Sequence, residues 1–183
     1  HPDMISYHIV SYNDDGTVEM KMTHQGKNDD SAWARGQAWG IYGYTSCYRE
    51  SKDTLFLNQA VRIADMIMTR VKTEDTIPYW DYDAPITGKT PRDASAAAVT
   101  ASAMLELGTL IPDGKKYFDY AETILKSLSS EQYSAKKGGN QGFILMHSTG
   151  SLPHGFEIDA PINYADYYYL EAMKRYMQIK QFN

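Results

Sequence analysis

The side chains best suited to binding chemistry lie in the first forty residues of the chain. Arg35 and Trp39 stand four apart, so on a helix they share a face. An arginine offers two parallel donors to the oxygens of a carboxylate, and a tryptophan offers a flat apolar face to a ring. The pair therefore suits an acidic, ring-shaped ligand. It equally suits a buried arginine neutralised by an internal aspartate beside a core tryptophan, and the residues alone leave both readings open. His8, placed in a strand, can be functional or structural. Gln25 can hold a ligand or cap a turn. Asp29 and Asp30 are adjacent carboxylates, but their place before a helix makes capping the better account.

The elements that must position these residues follow from pattern. Met4 to Tyr12 and Thr17 to Met22 partly alternate around Asn13-Asp14-Asp15-Gly16, which predicts a β-hairpin. Asp29 or Asp30 opens a helix to about Glu50, and Asp53 caps a second to about Val71. In the second, Leu57, Ala60, Val61, Ala64, Ile67, Met68 and Val71 recur at helical spacing. The loop from Thr73 to Arg92, with Ile77-Pro78-Tyr79-Trp80-Asp81-Tyr82-Asp83-Ala84-Pro85, is too long and aromatic for a plain connector. Trp80 in it can line a cleft or close an end of the fold.

An alanine-rich third helix is expected from Asp93 to Leu107, and a fourth carries Tyr117, Tyr120, Ala121, Ile124, Leu125 and Leu128. A glycine-rich loop, Lys136 to Gly155, then leads to a last helix from about Ile162 to Gln181. Met66, Met68, Met173 and Met177 are expected to pack between helices. Short connections alternating with long polar loops suggest helical hairpins around an axis, with the loops gathered at one end. The predicted class is all-α, a single domain over 1–183 with an N-terminal β-hairpin, and its five helices make either a smaller helical assembly or a piece of an (α/α) toroid.

Composition narrows the function classes. With a net charge of −5 and no clustering of Lys and Arg, general nucleic-acid binding is disfavoured. No stretch approaches the roughly 18 apolar residues of a membrane span. One cysteine, Cys47, excludes an intramolecular disulfide. The histidines lack metal-site spacing, and there is no glycine-rich phosphate loop with its lysine, so no metal or cofactor is expected. Aromatic residues reach 13%, a composition that suits a tyrosine-rich core and also clefts in which sugar rings stack. His1-Pro2-Asp3-Met4 lacks the features of a signal peptide and reads like the middle of a protein.

Several stretches together carry a family resemblance. Thr23-His24-Gln25-Gly26 and Asp29-Asp30-Ser31-Ala32-Trp33-Ala34-Arg35-Gly36-Gln37-Ala38-Trp39-Gly40 resemble the unsaturated glucuronyl hydrolases, glycoside hydrolase family 88. The aromatic loop, Arg92-Asp93-Ala94-Ser95-Ala96-Ala97-Ala98, His147-Ser148-Thr149-Gly150, Glu157-Ile158-Asp159-Ala160-Pro161 and Tyr164 to Ala172 fit in the same order.

The resemblance implies an (α/α)6 barrel of roughly twice this length. It also implies removal of 4,5-unsaturated uronic acids from lyase-generated oligosaccharides by hydration of the C4=C5 vinyl ether. One aspartic acid serves as acid and base there, so its pKa must be raised towards working pH. The family's two essential aspartates fall upstream of this chain, which implies a substrate-binding half that is inactive alone. His8, Gln25, Arg35 and Trp39 fall on substrate-contacting positions.

His147 and Ser148 lie where some members accept sulfated sugars through serines and a lysine. Here the register gives Leu145, Ser148 and Gly150, which puts a preference for sulfated substrates in doubt. The implied partners are unsaturated uronic-acid oligosaccharides, with neither nucleic acid nor membrane, and the implied setting is a bacterial cytoplasm or periplasm. Competing readings are the unsaturated rhamnogalacturonyl hydrolases of family 105, a non-catalytic sugar-binding module, and a helical interaction scaffold. Half a toroid would leave apolar helix faces uncovered, so self-association or pairing with the missing half is expected.

Overall fold

A computed structural model describes residues 3–181. The chain begins with an antiparallel hairpin, β1 (Ile9–Tyr12) and β2 (Val18–Met22), closed by a turn in which the Gly16 N–H bonds the Asn13 carbonyl. Helices α1 (Ala34–Ser51), α2 (Thr54–Arg70), α3 (Ala94–Leu110) and α4 (Lys115–Leu128) follow. A second hairpin, β3 (Ser148–Ser151) and β4 (Phe156–Ala160), precedes α5 (Asn163–Gln181). Helices α1, α3 and α5 pack side by side as one layer, with α2 laid on α1 and α4 on α3. That is an arc of the expected helical-hairpin toroid.

Local chemistry accounts for most of these boundaries. The Asp53 side chain accepts the Leu55 N–H and caps α2, and Asp93 does the same for α3 through Ser95. Helix α2 buries Ala60, Ile63, Ala64 and Ile67, and α4 buries Tyr117, Ala121, Ile124, Leu125 and Leu128. Helix α3 is buried on nearly every side from Ala94 to Leu105, because its alanines and serines let three neighbouring helices approach its backbone. Its turn into α4 stacks Gly108 on Gly114 so closely that a Cβ on Gly114 would overlap the Gly108 carbonyl.

Four expectations need correction. Asp29 and Asp30 do not cap α1, which starts at Ala34 after Trp33 without a side-chain cap. Asp29 instead accepts the Thr23 N–H at 2.8 Å, and the Asp30 N–H bonds Asn28, so both shape the turn before the helix. The segment from Lys136 to Gly155 is not wholly loop, since β3 lies within it. His8 sits one residue before β1, not within it. Met177 is exposed, whereas Met66, Met68 and Met173 pack against the core. Exposed apolar side chains gather on the first hairpin (Ile9, Tyr12, Val18, Met20) and along one face of α5 (Tyr167, Leu170, Met177).

Candidate functional site

Arg35, in the first turn of α1, reaches across to the starts of α3 and β3. Nη1 donates to Asp93 Oδ2 at 2.8 Å, to Ser95 Oγ at 3.3 Å and to the Thr149 carbonyl at 2.5 Å. Nη2 donates to the Gly150 carbonyl at 2.6 Å. Its guanidinium also lies 4.8 Å from the Trp33 ring and 5.5 Å from Tyr164, at the start of α5. One side chain thus gathers the N-terminal ends of all three helices of the inner layer. Both partners of the ion pair are almost wholly buried, so this is the internal arginine–aspartate pair that the sequence left open. A grip on a ligand carboxylate must come from the guanidinium edge that these four bonds leave over.

The loop before α1 is held by Asp81, itself buried. Asp81 Oδ2 accepts Ser31 Oγ at 2.7 Å and the Lys27 N–H at 2.9 Å, and Oδ1 accepts the Asp83 N–H at 2.9 Å. A Cβ on Gly26 would lie 2.6 Å from Thr23 Oγ1 and 3.2 Å from Asp81 Oδ2, so the turn admits only glycine there. This loop carries Gln25, whose Nε2 donates to the Gly150 carbonyl at 2.8 Å. Gln25 and Arg35 therefore converge on one carbonyl oxygen.

His8 faces the same loop. Its Nδ1 accepts the backbone N–H groups of His24 at 3.1 Å and Gln25 at 3.2 Å, and its ring stacks on Trp33 with centroids 4.4 Å apart. Two donors on Nδ1 require a neutral imidazole with its proton on Nε2, the ring's remaining donor. Burial, then the neighbouring His24 and Arg35, lower the His8 pKa from 6.5, in the same direction.

His8, Trp33 and Trp39 line a cleft of about 320 Å³ with Ser6, Ser31 and Gln37. Trp39 is half-buried, its ring edge-on to Tyr168 at 5.0 Å. Gln37 fixes the cleft's outer wall by exchanging two hydrogen bonds with the Ser6 backbone, at 2.9 and 3.1 Å. Trp33 and Gln37 also line this cleft, and sequence reasoning singled out neither. The signal for Trp33 was Gly36, since a Cβ there would meet the Trp33 ring at 2.7 Å and lift it off the helix.

The remaining candidates lie elsewhere. Trp80 is buried in a small core with Trp33 and Ala84 rather than lining the cleft. His147 pairs with Asp159 at 2.5 Å and lines a separate hollow of about 340 Å³. Ser148 is fully buried. A larger cavity of about 460 Å³, bounded by Arg70, Asp75, Tyr79, Tyr82 and Arg92, holds none of the predicted site residues. Size therefore does not pick out the candidate here, which rests on His8, Trp33 and Trp39 lining one cleft.

The chain is 47% identical to the unsaturated glucuronyl hydrolase of Formosa agariphila over 95% of its length, covering 44% of that protein. It superposes with a TM-score of 0.97 and 55% identity on an unsaturated glucuronyl hydrolase specific for heparin, covering 99% of this chain and 49% of that one. The chain belongs to the unsaturated glucuronyl hydrolase family. The glycosaminoglycan-degrading unsaturated glucuronyl hydrolase of Bacillus sp. GL1 superposes with a TM-score of 0.90 at 33% identity, covering 96% of this chain and 47% of that one.

The chain thus spans about half the length of these glucuronyl hydrolases. A family model described as Glycosyl hydrolase family 47 also matches, over residues 39–183. That match begins at Trp39 and leaves out His8, Gln25 and Arg35. The glucuronyl hydrolase superposition takes in 99% of the chain, hairpin and loop included, and so decides the family.

The neutral His8 gives a pH prediction. Its folded pKa is depressed, so the unfolded chain takes up the proton first as pH falls. The stability it contributes is present above about 6.5 and is lost as pH falls through the folded value. Protonation would also turn Nδ1 into a donor facing two N–H groups. Nitrogen-detected NMR of labelled imidazole is expected to show the proton on Nε2 at neutral pH and a titration below 6.5. A proton on Nδ1, or a midpoint at or above the ordinary value, would overturn the assignment.

Proposed function

We propose that this chain forms the substrate-holding half of a hydrolase that removes 4,5-unsaturated uronic acids from oligosaccharides by hydrating the C4=C5 bond. The observation that carries the reading is the cleft in which the Nε2 donor of His8 stands beside Trp33 and Trp39. A flat, partly unsaturated ring is matched by the half-buried Trp39 indole, the Trp33 ring being already covered by His8, and its oxygens by a fixed donor. Arg35 and Gln25 serve this wall by pinning the Gly150 carbonyl, so Arg35 acts chiefly as a positioning residue.

The chemistry needs one carboxyl group that gives a proton to C4 and then helps water add at C5. The hemiketal formed opens the ring and releases the remaining sugar. The carboxylates nearest the cleft are poorly suited to that cycle. Asp93 is tied to Arg35, and both oxygens of Asp81 are held by fixed donors. An acid/base that must gain and lose a proton in every turnover needs a less occupied group. The family resemblance puts the aspartates that do this work in the remaining half of the protein, and the tied states of Asp93 and Asp81 support that reading.

The test is the near-ultraviolet absorbance of the conjugated C4=C5 bond, which hydration erases. Full-length protein is expected to bleach unsaturated disaccharides from hyaluronan, chondroitin or heparin lyases. The 183-residue chain is expected to leave the absorbance intact while binding the same sugars with quenching of tryptophan fluorescence. Steady bleaching by the short chain would place the acid/base within it. No bleaching by either protein would sink the hydrolase reading and leave a sugar-binding module, or a scaffold if nothing binds.

A further inference from the structure

Arg35 is not alone in tying the three inner helices together. It meets Ser95 and Tyr164, and two helical turns further along each helix stand Tyr42 on α1, Ser102 on α3 and Glu171 on α5. These three also converge. The Tyr42 hydroxyl donates to Glu171 Oε1 at 3.2 Å, and the Ser102 hydroxyl donates to Oε2. Arg175, one turn on, stands 3.6 Å from Oε1, but it is also paired with Glu106 at 2.9 Å and bonded to the Ser102 carbonyl at 2.7 Å. The Glu171 carboxylate thus joins α5 to α1 and α3 at once.

The link from this knot to the cleft runs through the Tyr42 ring. It meets Tyr168 edge-on at 5.1 Å and Trp39 edge-on at 6.5 Å, and Tyr168 meets Trp39 edge-on at 5.0 Å. Edge-to-face contacts favour particular ring angles, so a closed set of three restrains the half-buried Trp39 indole. Trp39 in turn lines the cleft with His8 and Trp33. Burial, then the Glu171 carboxylate, push the Tyr42 pKa up to about 12, so its hydroxyl remains a donor at neutral pH.

We propose that Glu171 is a positioning residue for the substrate ring: by anchoring the Tyr42 hydroxyl it locks the aromatic set that presents the Trp39 indole to the cleft. Glu171 itself touches no sugar. The inference rests on the reading above, in which Trp39 is the face for the unsaturated uronate, and extends it to the groups that hold that face in place.

The test follows bleaching of unsaturated disaccharides by full-length protein. Glu171→Ala and Tyr42→Phe are each expected to raise KM about three- to tenfold, the worth of one aromatic contact, with a smaller change in kcat. Glu171→Gln keeps an oxygen acceptor for Tyr42 and should recover most of the loss. The Tyr42→Phe/Glu171→Ala double variant should be no worse than Glu171→Ala, because both changes cut the same link. Tyr42→Phe removes one oxygen and no ring, so it reads the link even where Glu171→Ala folds poorly. A KM unmoved in both single variants, or additive losses in the double variant, overturns the proposal and leaves Glu171 a tie between helices. Trp39→Ala with the parent's KM overturns the reading of Trp39 as the sugar's face, and this inference with it. A parent that bleaches nothing overturns the hydrolase reading itself.

Discussion

Asp93→Ala is expected to cost the fold about 3–5 kcal/mol, a large share of the 5–15 kcal/mol that holds a domain of this size together. The change leaves the Arg35 guanidinium buried and unpaired, since Asp93 Oδ2 is its counter-charge at 2.8 Å. It also removes the α3 cap, because Asp93 Oδ1 accepts both the N–H and the Oγ–H of Ser95. Urea unfolding followed by helical circular dichroism measures the loss. Arg35→Met is expected to cost less, because a lone aspartate can take up a proton and an arginine cannot shed one. The Arg35→Met/Asp93→Ala double variant should be more stable than the sum of the single losses by about 2 kcal/mol or more, since neither charge is then stranded. Additive losses would show that the ion pair does not couple α1 to α3.

Why this pair could not be read from the sequence is physical. Arg35 shows its charge and helical position, but its partner lies 58 residues away on another helix. What sequence did show was local. Asp53 and Asp93 cap the helices they precede, and the apolar spacing of α2 and α4 gave their buried faces. The first hairpin was legible because Asn13-Asp14-Asp15-Gly16 states a turn. The second was not, because Ser148-Thr149-Gly150-Ser151 has no apolar alternation and is held from outside, by Arg35 and Gln25 on its carbonyls. Asp29 and Asp30 misled for the converse reason. They have the chemistry of caps, but Asp81 folds the loop after them, so the helix begins only at Ala34. Type and spacing left Trp39 and His8 open between core and cleft, and only the family resemblance singled them out; Trp33 was passed over because a tryptophan before a helix reads equally well as core.

Asp81→Ala should separate the site from the scaffold. This carboxylate is buried as deeply as Asp93, yet its three partners, Ser31 Oγ and the N–H groups of Lys27 and Asp83, all belong to loops, of which the one carrying Ser31 lines the cleft. Among the described residues, none of its side-chain hydrogen bonds reaches a helix. Losing it frees the turn from Thr23 to Ser31, and with that turn go the backbone donors that fix the His8 ring and the anchor of Gln25 on Gly150. Misplacing a positioned group by about 1 Å can cost on the order of a hundredfold in rate, and a fall of that size in kcat/KM is expected for the full-length protein. The helical unfolding transition should move by less than in Asp93→Ala. Near-ultraviolet dichroism should report the loosened Trp33 ring even where helical content is unchanged. Asp81→Asn keeps one oxygen acceptor and should fall between the two, because one amide oxygen cannot serve donors on both sides of the carboxylate. If Asp81→Ala turned over normally, the loop would not be what holds His8 and Gln25 in place. If it unfolded as readily as Asp93→Ala, Asp81 would belong to the scaffold rather than to the site.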